Sequence, residues 1–494
     1  MSYNKLKNLF EEHSLINDIN GILSWDMATY MPEKSRTQRI KQIKKLYDYK
    51  KNIFEQIKKK QLFEKVDFLK LDKSNKLNFE LMKNKFQYFD SIPSKILKEK
   101  AALSIQCEGE WREAKKKSNF MIVKDTLTKL INLVKMESEI LSQVKKKDKY
   151  DCLLFKYDRS LDTKQLKKIF SRVEEFIKKK LPLIKKKQMN QQKEFGEYLN
   201  ESDQFFLSKV FMKKLGFDFS RGRIDKSLHP FCGGSTEDIR ITTRFNKQDS
   251  FSCFDALMHE TGHALYEQGL PRKWAHQPLG SSGGMSLHES QSLFIEMQII
   301  KSLPVSFFIE DILKRKMFKK SKIWNSENIY KVRNNVKENY IRVDSDEVHY
   351  PLHIIHRFNV EYKIIEENEK VENLPEIWNQ EFHKILGLTV ENDAIGCLQD
   401  IHWYGGDFGY FPTYSIGAFI AAQLAQKIKR EIQDYNIKLK NGDFKPITLW
   451  LKKNIHQKGN YYKINELLKE ATGEPLNLKY FEDHIVNRYV KNII

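Results

Sequence analysis

Glycine and proline are both scarce in this chain, 21 and 12 among 494 residues, where an average protein carries about 7% and 5%. That scarcity favours long uninterrupted helices over a fold built on many tight turns, so a mainly α protein is expected. Cysteine is sparse as well. Cys107, Cys152, Cys232, Cys253 and Cys397 are odd in number, widely scattered and form no Cys-x-x-Cys pair. This excludes a disulfide framework and a thiolate zinc site, and it fits a reducing compartment. Long apolar runs are absent too. The most apolar stretch, near Ile416 to Ala425, falls well short of the roughly 20 residues that span a bilayer. Met1-Ser2-Tyr3-Asn4-Lys5 runs straight into polar sequence without the apolar core of a signal peptide. A soluble protein with no membrane partner is expected.

Positive charge is abundant, with a formal net charge of +21, but it is not concentrated. Lysines are spread over nearly the whole chain, in short runs such as Lys178-Lys179-Lys180 and Lys185-Lys186-Lys187. No zinc finger, aromatic-basic recognition strand or glycine loop accompanies them, so they read as solvated helix faces and not as a nucleic-acid surface.

The first 220 or so residues form a series of amphipathic patterns. Leu6, Leu9, Phe10, Leu15, Ile16 and Ile19 recur at helical spacing, as do Leu166, Ile169, Phe170, Val173 and Ile177. Residues 1–220 are therefore expected to be a helical scaffold or lid, and 221–494 the part that carries the chemistry, within one catalytic unit. Trp25-Asp26, followed by Tyr30-Met31-Pro32, marks a helix end at Pro32. Between Arg221 and Phe245 the texture changes. Gly233-Gly234 precedes the alternating Asp238-Ile239-Arg240-Ile241-Thr242-Thr243, which predicts a small sheet. A strand there is placed to pair with an extended peptide by edge addition. Arg240 and Arg244 read equally well as a solvated strand face.

The stretch from Phe254 to Ser290 carries the reactive residues. In His259-Glu260-Thr261-Gly262-His263, the two histidines lie four apart on a helix and aim their rings at one point, where a single divalent cation can sit. Glu260, one step round, is placed to reach a water on that cation as a general base. Ser252 with Asp255 forms a capping-box pattern before the motif, and Gly269 with Pro271 ends the helix. A metzincin needs glycine at position 266 and histidine at 269, but the chain has Tyr266 and Gly269. The third ligand must come from elsewhere. Glu289, in His288-Glu289-Ser290, is the candidate, although Ser286-x-x-Glu289 is also a capping box. Glu296, two turns on, is the next choice.

Further along, Arg342 sits among acids and reads either as an internal ion pair or as a guanidinium fork for a substrate carboxylate. The block Gly396 to Trp403 and the glycine- and aromatic-rich turn from Gly405 to Tyr414 look like a pocket wall. Tyr410 and Tyr414 are able to donate to an oxyanion there.

Together, His229-Pro230-Phe231, Asp238 to Thr242, His259 to His263, His288-Glu289-Ser290 with Gln291, Ile341 to Asp346 and Gly396 to Trp403 resemble the carboxypeptidase Taq family of metallocarboxypeptidases. Ser345 stands where the family pattern has alanine. The resemblance implies an almost wholly helical, two-lobed fold with a deep central groove and a small sheet beside the metal. It implies one divalent metal ion, zinc or cobalt, held by His259, His263 and Glu289, with Glu260 as the base. It also implies removal of single residues from peptides with a free C-terminus, and a homodimer in the cytoplasm. His229, Asp238, Arg240, Arg342, Gln399 and His402 become substrate-binding candidates, Arg240 and Arg342 for the terminal carboxylate. A zinc aminopeptidase or endopeptidase with the same two-His, one-Glu chemistry is the alternative, but no Gly-x-Met-Glu-Asn block precedes His259.

Overall fold

A computed structural model describes residues 2–191, 194–227 and 230–491. It bears out a mainly α protein: nineteen α-helices and one three-stranded sheet occur among the described residues. No single helix among them is long and apolar enough to cross a membrane. The chain folds as two compact units, neither contiguous in sequence. One comprises Met1–Phe86, Asn190–Asn335 and Gly417–Ile494, the other Gln87–Met189 and Val336–Ile416. A division at residue 220 is therefore not how the chain partitions. Amphipathic patterns report that a helix has a buried face, but not which distant segment covers it.

In the first unit, the helix Ser2–Thr29 buries Leu6, Leu9, Phe10, His13 and Trp25. Leu15 and Ile19, expected on the same apolar stripe, are about half exposed. The core contact passes instead through His13, whose ring packs 4.8 Å from that of Phe54. The sheet consists of β1 (Gly222–Lys226), β2 (Phe231–Ser235) and β3 (Asp238–Thr243). Its order is β1-β3-β2, with β1 parallel and β2 antiparallel to β3. Ile239 and Ile241 point inward and are fully buried, as the two-residue strand period requires. Because β3 is the central strand, both its edges are already hydrogen-bonded, and the expected edge addition of a peptide to it is ruled out. Only β1 and β2 carry outer edges.

The motif helix Ser252–Gly269 buries Phe254, Leu257 and Met258. Its start is not the expected Ser252/Asp255 capping box. Asp249 accepts from the backbone N–H groups of Phe251 and Ser252, and Asp255 is drawn away by an ion pair with Arg333. A second helix, Met285–Leu293, follows the Gly283-Gly284 turn and widens into a π-helical stretch, Phe294–Ile300. The two helices meet closely at Gly262. A Cβ there would lie 2.4 Å from the Gln291 carbonyl oxygen and 2.5 Å from Ser292 Cα.

In the second unit, Leu166, Phe170, Val173 and Ile177 line the buried face of the helix Thr163–Gln188, as their spacing predicts. The buried Glu361 accepts from Tyr150 Oη, Trp403 Nε1 and the Gly409 N–H at 2.5, 2.7 and 2.9 Å. Three donors on one carboxylate fasten the glycine- and aromatic-rich turn to the helix Tyr350–Ile365.

The contact at Gly262 reverses an ordinary helix rule. At an exposed helix position Gly→Ala gains about 0.5–1 kcal/mol, but Gly262→Ala is expected to lose about 1–3 kcal/mol through overpacking against backbone. Urea unfolding of the two proteins checks the sign.

Candidate active site

His259 and His263 stand one turn apart on the motif helix, with ring centroids 5.0 Å apart. Glu289 reaches them from the second helix, its Oε1 3.8 Å from His259 Nε2 and its Oε2 3.3 Å from His263 Nε2. Among the described residues, these three offer ligand atoms that all lie within 4.8 Å of one another. Two donors about 2.0–2.2 Å from a tetrahedral ion stand about 3.4 Å apart, so the two carboxylate–imidazole separations fit a cation. The capping-box reading of Glu289 is not what forms. Its helix begins at Met285 after Gly284, and the Ser286 hydroxyl is buried without a hydrogen-bond partner.

Each histidine is held from behind. The His259 Nδ1–H donates to Glu296 Oε2 at 2.9 Å, and Glu296 Oε1 accepts from Lys301 Nζ at 3.0 Å. Glu296 therefore lies behind His259 and not on the Glu289 face. The π-helical widening that begins at Phe294 breaks the seven-residue register that would have stacked it above Glu289. His263 Nδ1 lies 2.6 Å from His288 Nδ1, and the His288 Nε2–H donates to Glu267 Oε1 at 2.8 Å.

The electrostatics separate the roles. Burial pushes the Glu260 carboxyl up to about 7; His259 pulls it back and Glu289 adds to the rise. Burial alone would lower the His259 imidazole, but Glu289 and then Glu296 override it and raise it to about 10. His263 is lowered to about 4 by burial, despite Glu289. Glu289 itself stays below the usual carboxylate range because His259 and His263 overcome its burial. Glu260 is thus poised near neutrality beside a cluster rich in negative charge, as a proton acceptor must be.

On β3, Arg240 grips Asp238 through two parallel hydrogen bonds of 2.7 Å, Nε to Oδ1 and Nη2 to Oδ2. Its guanidinium lies 4.4 Å from the ring centroid of Trp25, which Arg223 also faces at 5.2 Å. Trp25, part of a helix-end signature in the sequence, thus supports Arg240 of the sheet, while Asp26 pairs with Arg39 on the helix Arg36–Lys59. His229 lies outside the described residues.

The other predicted residues gather in the second unit. Arg342 is buried and gives Nε to Asp400 Oδ1 at 2.9 Å and Nη1 to Tyr350 Oη at 2.7 Å. Its pair with Asp400 is the internal contact that one of its two sequence readings expects. Arg357 binds the other oxygen of Asp400 at 2.8 Å, so two guanidinium groups share one carboxylate. Gln399 Oε1 accepts from the Arg342 N–H and from Arg357 Nη2. His402 Nε2 and Tyr414 Oη are 3.0 Å apart, and the Tyr410 ring packs on those of His402 and Tyr414. Burial, then Arg342, lowers the His402 imidazole to about 3.

Sequence reasoning gave no role to Asp400, Arg357, His288 or Glu267. Asp400 and His288 stand inside blocks already singled out, beside Gln399 and Glu289. Glu267 and Arg357 carried no local signal, because their partners are distant in the chain or a turn away on another element.

The chain matches the family model described as carboxypeptidase Taq (M32) metallopeptidase over residues 5–489. It is 33% identical to carboxypeptidase 1 of Bacillus subtilis, covering 98% of this chain and 97% of that protein. It is 32% identical to thermostable carboxypeptidase 1 of Pyrococcus furiosus, over 96% of each. Among solved structures, metallocarboxypeptidase 1 of Trypanosoma cruzi superposes with a TM-score of 0.92 at 32% identity, over 99% of both chains. With the His-Glu-x-x-His helix, the Glu289 donor and the fold all in agreement with it, the chain belongs to the carboxypeptidase Taq (M32) family of metallopeptidases.

Proposed function

We propose that the protein releases single amino acids from the carboxyl ends of peptides, with one divalent cation held by His259, His263 and Glu289. The observation that carries this reading is the convergence of those three side chains beside a buried Glu260 whose carboxyl is raised to about 7. Two imidazoles and a carboxylate are a donor set that zinc favours, with cobalt the alternative. A bound ion would supply Lewis acidity that activates water and polarises the scissile carbonyl.

The protein's own residues supply the rest. Glu260 accepts the proton of the attacking water and delivers it to the leaving amine. Tyr410 and Tyr414 are the candidates for donating to the oxyanion. Arg240, clamped by Asp238, and Arg342, one of two guanidiniums sharing Asp400, are the candidates for the terminal carboxylate, with His229, Gln399 and His402 as further substrate contacts. Two cations against one carboxylate leave a buried excess of positive charge, which supports Arg342 as a partner for an anion. A cytoplasmic setting is supported by five free cysteines, and a homodimer by the family resemblance. An aminopeptidase or endopeptidase is not favoured by membership of a carboxypeptidase family.

Mass spectrometry of one peptide, free or amidated at its C-terminus, tests the reaction. Stepwise loss from the free carboxyl end, abolished by chelator and by amidation, is expected; internal cuts or loss from the amino end overturn the reading. Glu260→Gln should retain metal while kcat falls about 10²–10⁴-fold; a near-normal kcat removes the base assignment. Because the metal-free His259 holds its proton up to about pH 10, a cation must displace that proton to bind. Protons therefore compete more strongly as pH falls, and metal affinity should rise about tenfold per unit from about pH 6 to about pH 8. Competition with a chromophoric chelator at several pH values measures this.

A further inference from the structure

His288 precedes the metal-ligating Glu289 and is given no part in the reaction above, yet its ring is fixed on all sides. Its Nδ1 lies 2.6 Å from His263 Nδ1, and its Nε2 lies 2.8 Å from Glu267 Oε1. The Tyr266 ring packs 5.3 Å from it, and that tyrosine is itself held where its hydroxyl accepts from the Gly283 N–H at 3.0 Å. The His288 side chain is only 13% exposed.

Proton placement follows from donor and acceptor chemistry. An ionised carboxylate only accepts, so the Glu267 contact places the proton of His288 on Nε2. With its proton on Nε2, the ring offers a lone pair on Nδ1. That lone pair accepts the Nδ1–H of His263, which leaves His263 Nε2 without a proton on the side that faces Glu289. Glu267 and His263 lie one turn apart on the same helix, so His288 closes a bridge between them from the neighbouring helix.

We infer that His288 is a positioning residue that sets the tautomer and ring orientation of His263, so that the chain Glu267–His288–His263 presents one metal ligand while Glu296 presents the other. The inference rests on the metal-site reading above. It makes the two imidazole ligands unequal. His259 is backed directly by a carboxylate that Lys301 also engages, whereas His263 is backed by an imidazole that relays to a carboxylate. Outer partners of ligating histidines typically contribute 10–100-fold to metal affinity.

Two amide substitutions differ only in reach. In His288→Asn the amide oxygen takes the place of Nδ1 and still accepts from His263. In His288→Gln the amide sits where Nε2 was and leaves His263 Nδ1 without its acceptor. Dissociation constants for Zn²⁺, measured by competition with a chromophoric chelator, are compared for the wild type, both variants and His263→Ala; visible spectra of the Co²⁺-loaded proteins are recorded alongside. We expect His288→Asn to bind within about threefold of the wild type, and His288→Gln to bind about 10–100-fold more weakly with a shifted cobalt spectrum. Equal affinity of the Asn and Gln variants, whether tight or weak, overturns the positioning role. A wild type that fails to bind the ion, or a His263→Ala variant that binds as tightly as the wild type, overturns the metal-site reading itself.

Discussion

The site depends on the close passage of two helices. His259 and His263 supply two donors from one helix, but a tetrahedral cation site needs a third that the same turn cannot provide. Glu289 stands within reach of both imidazoles only because the second helix runs against the first at Gly262, where any side chain would strike the Gln291 carbonyl. Gly417 makes a comparable approach on the other side, where a Cβ would lie 2.8 Å from Glu289 Cβ and Cγ. The glycines in an otherwise glycine-poor chain thus set the depth at which Glu289 sits.

That proximity concentrates charge. Glu260, Glu289 and Glu296 are gathered around two imidazoles with little solvent to screen them. Burying so many ionisable groups is costly unless each is paired or ligated. Lys301 neutralises Glu296, and the two histidines hold Glu289 ionised. Glu260 alone has no hydrogen-bonded partner of opposite charge among these contacts, and its carboxyl rises towards neutrality. The same unequal distribution that raises the Glu260 carboxyl gathers a donor set whose chemistry suits a divalent cation.

The arginine groups follow a common plan on different scaffolds. Arg240 is flattened between a strand, a bidentate aspartate and an indole face, which fixes the plane of the guanidinium. Arg342 and Arg357 are instead anchored back to back on Asp400, with Gln399 tying the pair to the backbone of Tyr340 and Ile395. In both cases the cation is held at a fixed angle, which is what planar recognition of a carboxylate requires.

The amino-acid sequence by itself determined the helical class, the sheet before the motif helix, and the pairing of His259 with His263 on one helix face. Those features depend on local periodicity, on i to i+4 geometry and on residue chemistry, all of which a linear pattern carries. It also contained Arg342 and Trp25, but without saying what they touched. Only the tertiary structure decided that Arg342 shares Asp400 with Arg357, that Trp25 supports Arg240, that β3 is the central strand and that Glu296 lies behind His259. It likewise divided the chain into discontinuous units, where the sequence pattern suggested a break near residue 220. Each of these outcomes is set by pairing between separate segments, some of them hundreds of residues apart, or by a π-helical turn that shifts the register. Neither leaves a periodic trace in the chain, because burial and hydrogen bonding select among partners that local sequence leaves equally open.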